Sequence, residues 1–215
     1  AGIIKPGIPV ITGISDEQAL EVISDAAGKL GSPLYILGRN FSGSALPGNK
    51  SLWSYKGTRP FAEEALPLNM KGEYQIDNAA LALATLETVK AAFPVTARQI
   101  REGLAGTSWP GRLEEFWWQG VKQVHPQPPG NNAPAFHFLL DGAHNPDGAK
   151  ALKKSLEQDF IYERLILVWA SMADKDILST LMQIAPLANS IIFTRPDEER
   201  SAKPEALLEM LPESL

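Results

Sequence analysis

The sequence predicts an α/β protein, and two stretches of the chain lead to that fold class. Residues 8–14 and 33–38 are short apolar segments bounded by Pro or Gly, and the stretch between them has apolar residues at helical spacing. This is the pattern of a β-α-β unit, whose strands are parallel. The same alternation of strand and helix returns after residue 139, and it predicts a small, Rossmann-like, doubly wound domain.

In the first part of the chain, Gly, Pro and small polar residues mark the ends of the predicted elements. Ser15 is expected to cap the first helix and Gly31 to end it. Pro94 ends the long second helix, Thr96 caps the third, and Gly106 closes it. The predicted strands are 8–14, 33–38 and an outer strand at 52–55, and the predicted helices are 15–30, 74–92 and 96–104.

A Trp-Pro-Gly-Arg sequence at 109–112 interrupts regular structure, because Pro and Gly together favour a turn. We therefore expect a domain boundary there, between residues 1–108 and 109–215. Beyond it the sequence predicts strands at 113–118, 135–141, 165–169 and 191–194, helices at 147–160, 176–188 and 203–211, and a Pro/Gly/Asn-rich loop at 125–134.

Composition and charge exclude several classes of protein. The net charge of -5 and the lack of a Lys/Arg run argue against a nucleic-acid partner. No apolar run approaches the roughly 18 residues that cross a membrane. The absence of cysteine excludes disulfides and thiolate metal sites. The chain lacks an initiating Met and ends directly after a helical pattern, so we expect it to be part of a longer protein.

The strongest chemical signal is the segment 139–148, LLDGAHNPDG. A buried strand leads into Asp141, His144 and Asn145, and ligands of open α/β sheets bind at the carboxyl ends of strands. The helix that follows favours anions at its N-terminus. Asp141 and Asn145 alternatively only order the turn, with His144 at the surface. For the whole string, we favour a ligand site.

This segment resembles the signature of the C-terminal domain of folylpolyglutamate and dihydrofolate synthases, within the Mur ligase superfamily. Residues 75–82, QIDNAALA, resemble the Q-x-x-N-A helix of the family's central domain, and 109–114, WPGRLE, resemble its hinge. Weaker matches are 171–176, 194–196 with 200–202, and 1–7, which resembles the stretch after the family's modified lysine.

The resemblance implies the fold and the domain organisation. Residues 1–108 are expected to be the C-terminal part of the Mur ligase central, ATP-binding domain. Residues 109–215 are expected to be the small, doubly wound C-terminal domain, truncated at its end.

The resemblance also implies site residues. Asn78 is expected to contact the adenine side of ATP, Arg112 the nucleotide phosphates, and Asp141 the nucleotide at its ribose. His144, the expected catalytic residue, is placed near the junction of the γ-phosphate and the incoming glutamate. Lys175 is expected to add positive charge to the same cleft. No metal ligand is expected in these residues.

Structural roles compete with three of these assignments. Asn78 alternatively hydrogen-bonds within its own helix. Arg112 alternatively pairs with Glu114 or Glu115 at the surface. Lys175 alternatively belongs to a solvated helix start between two Asp residues.

The activity implied is that of an ATP-dependent ligase that adds L-glutamate to dihydropteroate, to folate or to both, through an acyl phosphate. The cofactors implied are ATP and Mg²⁺, with the magnesium ligands before Ala1. The only Gly-Lys pair is Gly28-Lys29, at the end of a predicted helix, so the family's phosphate-binding loop is absent and the chain alone is expected to be inactive. A monomer that binds small molecules in the cytoplasm is expected.

Two alternatives to this function remain. One is another Mur-type ligase, acting on a peptidoglycan precursor or on cyanophycin. The other is a non-catalytic α/β domain that binds nucleotide without turnover.

Overall fold

The computed structural model describes residues 2–58, 62–120, 123–125, 135–197 and 199–212. The chain divides into two compact units, Ala1–Ser108 and Trp109–Leu215. The first contains β1 (Val10–Thr12), α1 (Glu17–Lys29), β2 (Leu34–Ile36), β3 (Ser42–Leu46), β4 (Asn49–Lys56), β5 (Ala62–Pro67), α2 (Tyr74–Val89) and α3 (Ala97–Gly106). The second contains β6 (Glu114–Gln119), β7 (Gln123–His125), β8 (Phe136–Leu140), α4 (Pro146–Asp159), β9 (Ile166–Trp169), α5 (Ile177–Ile184), a 3₁₀ turn (Ala185–Leu187), β10 (Ser190–Phe193) and α6 (Pro204–Glu209).

The β-α-β unit at the start of the chain is confirmed. Strands β1 and β2 pair in parallel and are connected through α1. Gly31 follows the helix with a φ of 59°, a conformation that glycine adopts without steric cost. The predicted cap was wrong by one residue. Asp16, not Ser15, accepts a hydrogen bond from the Ala19 amide at 2.8 Å, because the helix begins at Glu17 and its third amide lies within reach of Asp16.

The region after β2 forms an antiparallel sheet in the order β3-β4-β5. The strand predicted at 52–55 is confirmed and lies in β4, but its predicted outer position was wrong, because β4 is the central strand. The sequence of β5, AEEALP, lacks the apolar alternation by which a strand is recognised, and its pairing with β4 was therefore missed.

Helix α2 packs directly on this sheet. Trp53 and Tyr55 of β4 are fully buried against it, and the helix contributes Ile76, Ala80, Leu83 and Ala84 to the same core. A Cβ placed on Gly43 of β3 would lie 2.6 Å from Ile76 Cγ2, so the close approach of helix and sheet requires glycine at this position.

Strand β5 carries a bulge that α3 stabilises. Two residues of β5, Glu64 and Ala65, oppose the single residue Ser54 of β4, and Ala65 has a φ of 52°. The guanidinium of Arg101 on α3 donates to the carbonyl oxygens of Ala65 at 2.9 Å and of Glu64 at 2.8 Å, and it also contacts the Glu63 carboxylate at 3.1 Å. Arg101 thus binds the carbonyl groups that the bulge exposes.

We predict that Ala65→Gly stabilises the protein. A left-handed conformation costs a non-glycine residue about 1–2 kcal/mol, and the additional chain entropy of glycine in the unfolded state offsets only part of this, which leaves a gain of about 0.5–1 kcal/mol. Urea unfolding monitored by tryptophan fluorescence measures the change. Ala97→Gly, at the start of α3, serves as the control and should destabilise the protein; a loss of stability in both variants would contradict the interpretation of the bulge.

The second unit combines an antiparallel sheet with a parallel strand pair. Strand β6 lies between β7 and β8 and is antiparallel to both, whereas β9 and β10 are parallel. The mixed α/β class is confirmed. Strand β8 departs from the expected alternation of strand and helix, because it pairs with the antiparallel strand β6. Strand β7 was not predicted. Beyond His125, the predicted loop at 125–134 lies outside the described residues.

Strands β6 and β8 are joined by aromatic pairs as well as by backbone hydrogen bonds. The rings of Phe116 and Phe138 stack with their centroids 5.1 Å apart, and those of Trp117 and His137 stack at 4.4 Å. On the side of the core, Leu139 of β8 packs in one cluster with residues of α4 and β9. Strand β8 is thereby fixed in position, and its carboxyl end leads into the LDGAHN segment.

Helices of membrane-spanning length and hydropathy are not found among the described residues.

Candidate functional site

The Trp-Pro-Gly-Arg segment forms a tight turn immediately before β6. The Arg112 amide donates to the Trp109 carbonyl oxygen at 3.2 Å, and the Gly111 amide donates to the Glu114 carboxylate at 2.7 Å. Leu113 closes the turn with a φ of 46°, which is unusual for a branched side chain, and it is only 2% exposed. Arg112 is therefore carried at the surface by a turn whose next residue is anchored in the core.

Asp141 connects this turn to the LDGAHN segment. One carboxylate oxygen accepts the amide of Leu113 at 3.0 Å, and the other accepts the amide of Ala143 at 2.9 Å. The Gly142 amide donates to the Gly111 carbonyl oxygen at 2.8 Å and adds a third bond between the same two segments. Asp141 thus orders the turn, which was one of the two roles expected for it. Its contact with a nucleotide stays a prediction.

The Arg112 guanidinium lies against Gly142. A Cβ built on Gly142 would be 2.2 Å from Nη1 of Arg112. Neither predicted carboxylate partner pairs with Arg112, because Glu114 binds the Gly111 amide and Glu115 pairs with His137 at 2.9 Å. Within the described ranges, the one hydrogen bond of the guanidinium is a long one of 3.5 Å to the Gly111 carbonyl oxygen.

His144 is exposed, and its ring is fixed by the same loop. Its Nδ1 lies 2.9 Å from the Gly142 carbonyl oxygen. Because a carbonyl oxygen only accepts, Nδ1 must carry the proton, and in the neutral ring Nε2 then carries the lone pair. Asn145 caps α4 by accepting the Gly148 amide at 2.7 Å, so the positive end of this helix begins directly after His144.

Three of the predicted site residues are therefore brought together: Arg112, Asp141 and His144. The guanidinium and a helix N-terminus favour an anion here, and the planar donors of Arg112 suit phosphate oxygens. Asp147 in the first turn of α4 partly offsets this positive potential.

Lys175 lies in the exposed loop between β9 and α5, and that loop is held by a different segment. The Ala173 amide donates to the Arg200 carbonyl oxygen at 2.8 Å, and the side chains of Asp174 and Arg200 approach within 3.6 Å. Asp176 caps α5. Lys175 thus lies at the carboxyl end of β9, but the structure does not join it to the Arg112 cluster.

Asn78 belongs to the first unit, where it is exposed on α2. Its side-chain amide donates to the Gln75 side-chain oxygen at 2.9 Å, and Gln75 is buried at 5% exposure. The predicted alternative, a bond to the helix backbone, is replaced by this side-chain bond. Sequence analysis assigned Gln75 no role, although its i, i+3 spacing from Asn78 places the two on one face of the helix.

No group of three or more His, Asp or Glu side chains suited to a metal ion occurs in the parts of the chain that the structure describes. Sequence analysis also missed the contact between Arg112 and Gly142, which are thirty positions apart with no pattern that connects them.

Several known proteins are similar to this chain in sequence and in fold. Residues 130–214 match the Mur ligase glutamate ligase domain. The dihydrofolate synthase/folylpolyglutamate synthase of Bacillus subtilis is 30% identical over 94% of this chain and 44% of its own length. The folylpolyglutamate synthase of Thermotoga maritima has a TM-score of 0.69 and 33% identity over 97% of this chain and 46% of its own. A bifunctional synthase with Mn, AMPPNP and L-glutamate bound has a TM-score of 0.74 and 28% identity over 99% of this chain and 45% of its own.

The fold, the LDGAHNP loop and the matched domain define a protein of the Mur ligase class. The chain spans less than half the length of the relatives that it matches. Within that class, it belongs to the folylpolyglutamate synthase/dihydrofolate synthase family.

We predict that Asp141→Asn destabilises the second unit by about 1–3 kcal/mol, because an amide has a single acceptor oxygen and would leave one backbone amide unpaired. Thermal and urea unfolding measure the loss. Asp147→Asn, the same substitution at an exposed position in the first turn of α4, should change stability by less than about 1 kcal/mol. Equal effects of the two substitutions would show that Asp141 does not hold the two segments together.

Proposed function

We propose that this chain contributes to an ATP-dependent ligase that adds L-glutamate to dihydropteroate, to folate or to both. The observation that carries the proposal is the cluster of Arg112, Asp141 and His144, which joins two family motifs at one anion-favouring loop. The names of the relatives support the reaction. The solved synthase with AMPPNP, Mn and L-glutamate supports a nucleotide, a divalent cation and glutamate as ligands.

The chemistry requires activation of a poor electrophile. A carboxylate does not react with an amine, so the carboxylate of the pterin substrate is first converted to an acyl phosphate at the expense of ATP. The amine of glutamate then attacks the carbonyl carbon, the C–N bond forms, and phosphate leaves as the tetrahedral intermediate collapses to the amide. The demands on the protein are positioning and stabilisation of negative charge.

The residues of the cluster meet those demands in different ways. Arg112 presents its guanidinium to the phosphates, since no carboxylate of the described chain occupies it. His144 directs Nε2 outward with Nδ1 already bonded, so Nε2 is the atom that contacts the reacting groups. Asp141 keeps lone pairs beyond the two that accept backbone amides, and these can accept ribose hydroxyl groups.

Asn78 and Lys175 complete the proposal. Asn78, oriented by Gln75, contacts the adenine. Lys175 adds charge at the carboxyl end of β9. The first unit is proposed to be part of the central ATP-binding domain and the second the C-terminal domain, with residue 108 as the boundary.

The chain alone is proposed to be inactive. Its one Gly-Lys pair, Gly28-Lys29, lies at the C-terminal end of α1, where carbonyl groups rather than amides point outward, so it cannot cradle a phosphate. Turnover therefore requires a phosphate-binding loop and Mg²⁺ ligands from sequence outside these residues. The substrates implied are small molecules handled by a cytoplasmic monomer, with no nucleic-acid or membrane partner.

We predict that the intact protein transfers radiolabelled glutamate to dihydropteroate or tetrahydrofolate with release of ADP and phosphate. Arg112→Ala should lower kcat/KM by about 10²-fold, because it removes a preorganised cation from the site of charge development. Arg98→Ala is the matched control, since Arg98 forms only an exposed ion pair with Glu102 on α3, and it should leave kcat/KM unchanged.

Other outcomes distinguish the alternatives. Glutamate or another amino acid transferred to a peptidoglycan precursor or to cyanophycin, and not to a pterin, would assign a different Mur-type ligase. Tight binding of ATP by the intact protein without turnover on any acceptor would assign a non-catalytic domain. Either result would overturn the folate reaction.

A further inference from the structure

Gly142 lies at the centre of the Arg112 cluster, yet the proposed mechanism gives it no task. It does not have the positive φ that usually explains a glycine. Its amide donates to Gly111 and its carbonyl oxygen binds His144, bonds that any residue could make. The backbone therefore provides no reason for glycine at position 142.

The space around the Cα of Gly142 does provide a reason for glycine at this position. A Cβ at Gly142 would be 2.2 Å from Nη1 of Arg112, well inside van der Waals contact. The next atoms are Cζ of Arg112 and the carbonyl oxygen of Gly111, both at 3.4 Å, which is close to ordinary contact. The guanidinium of Arg112 is thus the one group that a side chain at 142 would displace.

We infer that Gly142 is a positioning residue, whose missing side chain provides the seat against which the Arg112 guanidinium lies. The inference rests on the proposed function, in which the guanidinium of Arg112, held in this seat, points at the phosphate groups of the nucleotide. The residue then orients two side chains. Its Cα seats Arg112, and its carbonyl oxygen fixes the tautomer of His144.

Because of these two contacts of Gly142, the effect of a substitution on stability can be distinguished from its effect on nucleotide binding. The displaced atom is the end of a flexible side chain, so the fold can accommodate an added methyl group by a movement of Arg112 alone. Gly142→Ala should therefore leave the melting temperature of the intact protein unchanged or slightly raised, since alanine restricts the unfolded chain. It should also keep the His144 tautomer, because the carbonyl group is retained.

Affinity for nucleotide should fall in the same variant. Calorimetric titration of the intact protein with AMPPNP should give a Kd about tenfold higher for Gly142→Ala, comparable to the loss of one charge-assisted hydrogen bond. Gly103→Ala in α3, where a Cβ meets no atom within 4 Å, is the control and should leave the Kd unchanged.

A double-mutant cycle tests whether Gly142 acts through Arg112. In the Arg112→Ala background, Gly142→Ala should cause no further loss of affinity. Additive losses would overturn the inference, since they would show that Gly142 contacts the nucleotide itself or holds the loop.

A spectroscopic readout keeps this test separate from the proposed function. In ¹⁵N-labelled intact protein without nucleotide, Gly142→Ala should shift the Nε resonance of Arg112 and leave the ring nitrogens of His144 in the Nδ1–H pattern. An unchanged Arg112 resonance or a changed His144 tautomer would overturn the inference that Gly142 positions Arg112. Failure of the wild-type protein to bind AMPPNP, with this spectroscopic result obtained, would instead refute the nucleotide function and leave the seat standing.

Discussion

The carboxylate of Asp141 is the contact on which the candidate site depends. It accepts the backbone amides of Leu113 and Ala143, and so joins two segments 28 residues apart in sequence. Leu113 has a left-handed backbone conformation that its burial and this bond maintain together. Asp141 therefore fixes the Arg112 turn and the His144 loop relative to one another, together with the bond from the Gly142 amide to the Gly111 carbonyl oxygen.

In both units, a second polar contact orients an exposed candidate residue. In the first, the exposed Asn78 is oriented by the buried Gln75; in the second, the exposed His144 and Arg112 are oriented by backbone and carboxylate groups of the loop. A polar side chain at the surface has many rotamers, and a second contact reduces them before a ligand binds.

Periodicity and punctuation predicted most helices and the parallel strand pairs, because apolar spacing and residues such as Gly31, Thr96 and Pro204 act locally. The ten-residue string around Asp141 predicted the site loop for the same reason. Contacts between distant segments were not predicted: the pairing of β8 with β6, the Arg101 bonds to the β5 bulge and the seat of Arg112 all depend on tertiary approach. The strand at β5 was missed because two adjacent Glu residues interrupt its apolar pattern.

The ladder of β6 and β8 separates the candidate site from the far end of the antiparallel sheet. Its register runs from Glu114 opposite Leu140, beside the Arg112 turn, to Trp118 opposite Phe136 at the far end, and stacked rings hold the strands between. The ladder and the hydrogen bonds of Asp141 together determine the near end, where the candidate site begins. A change at the end of the ladder formed by Trp118 and Phe136 is therefore separated from the candidate site by the stacked pairs, which hold the register near Glu114 and Leu140.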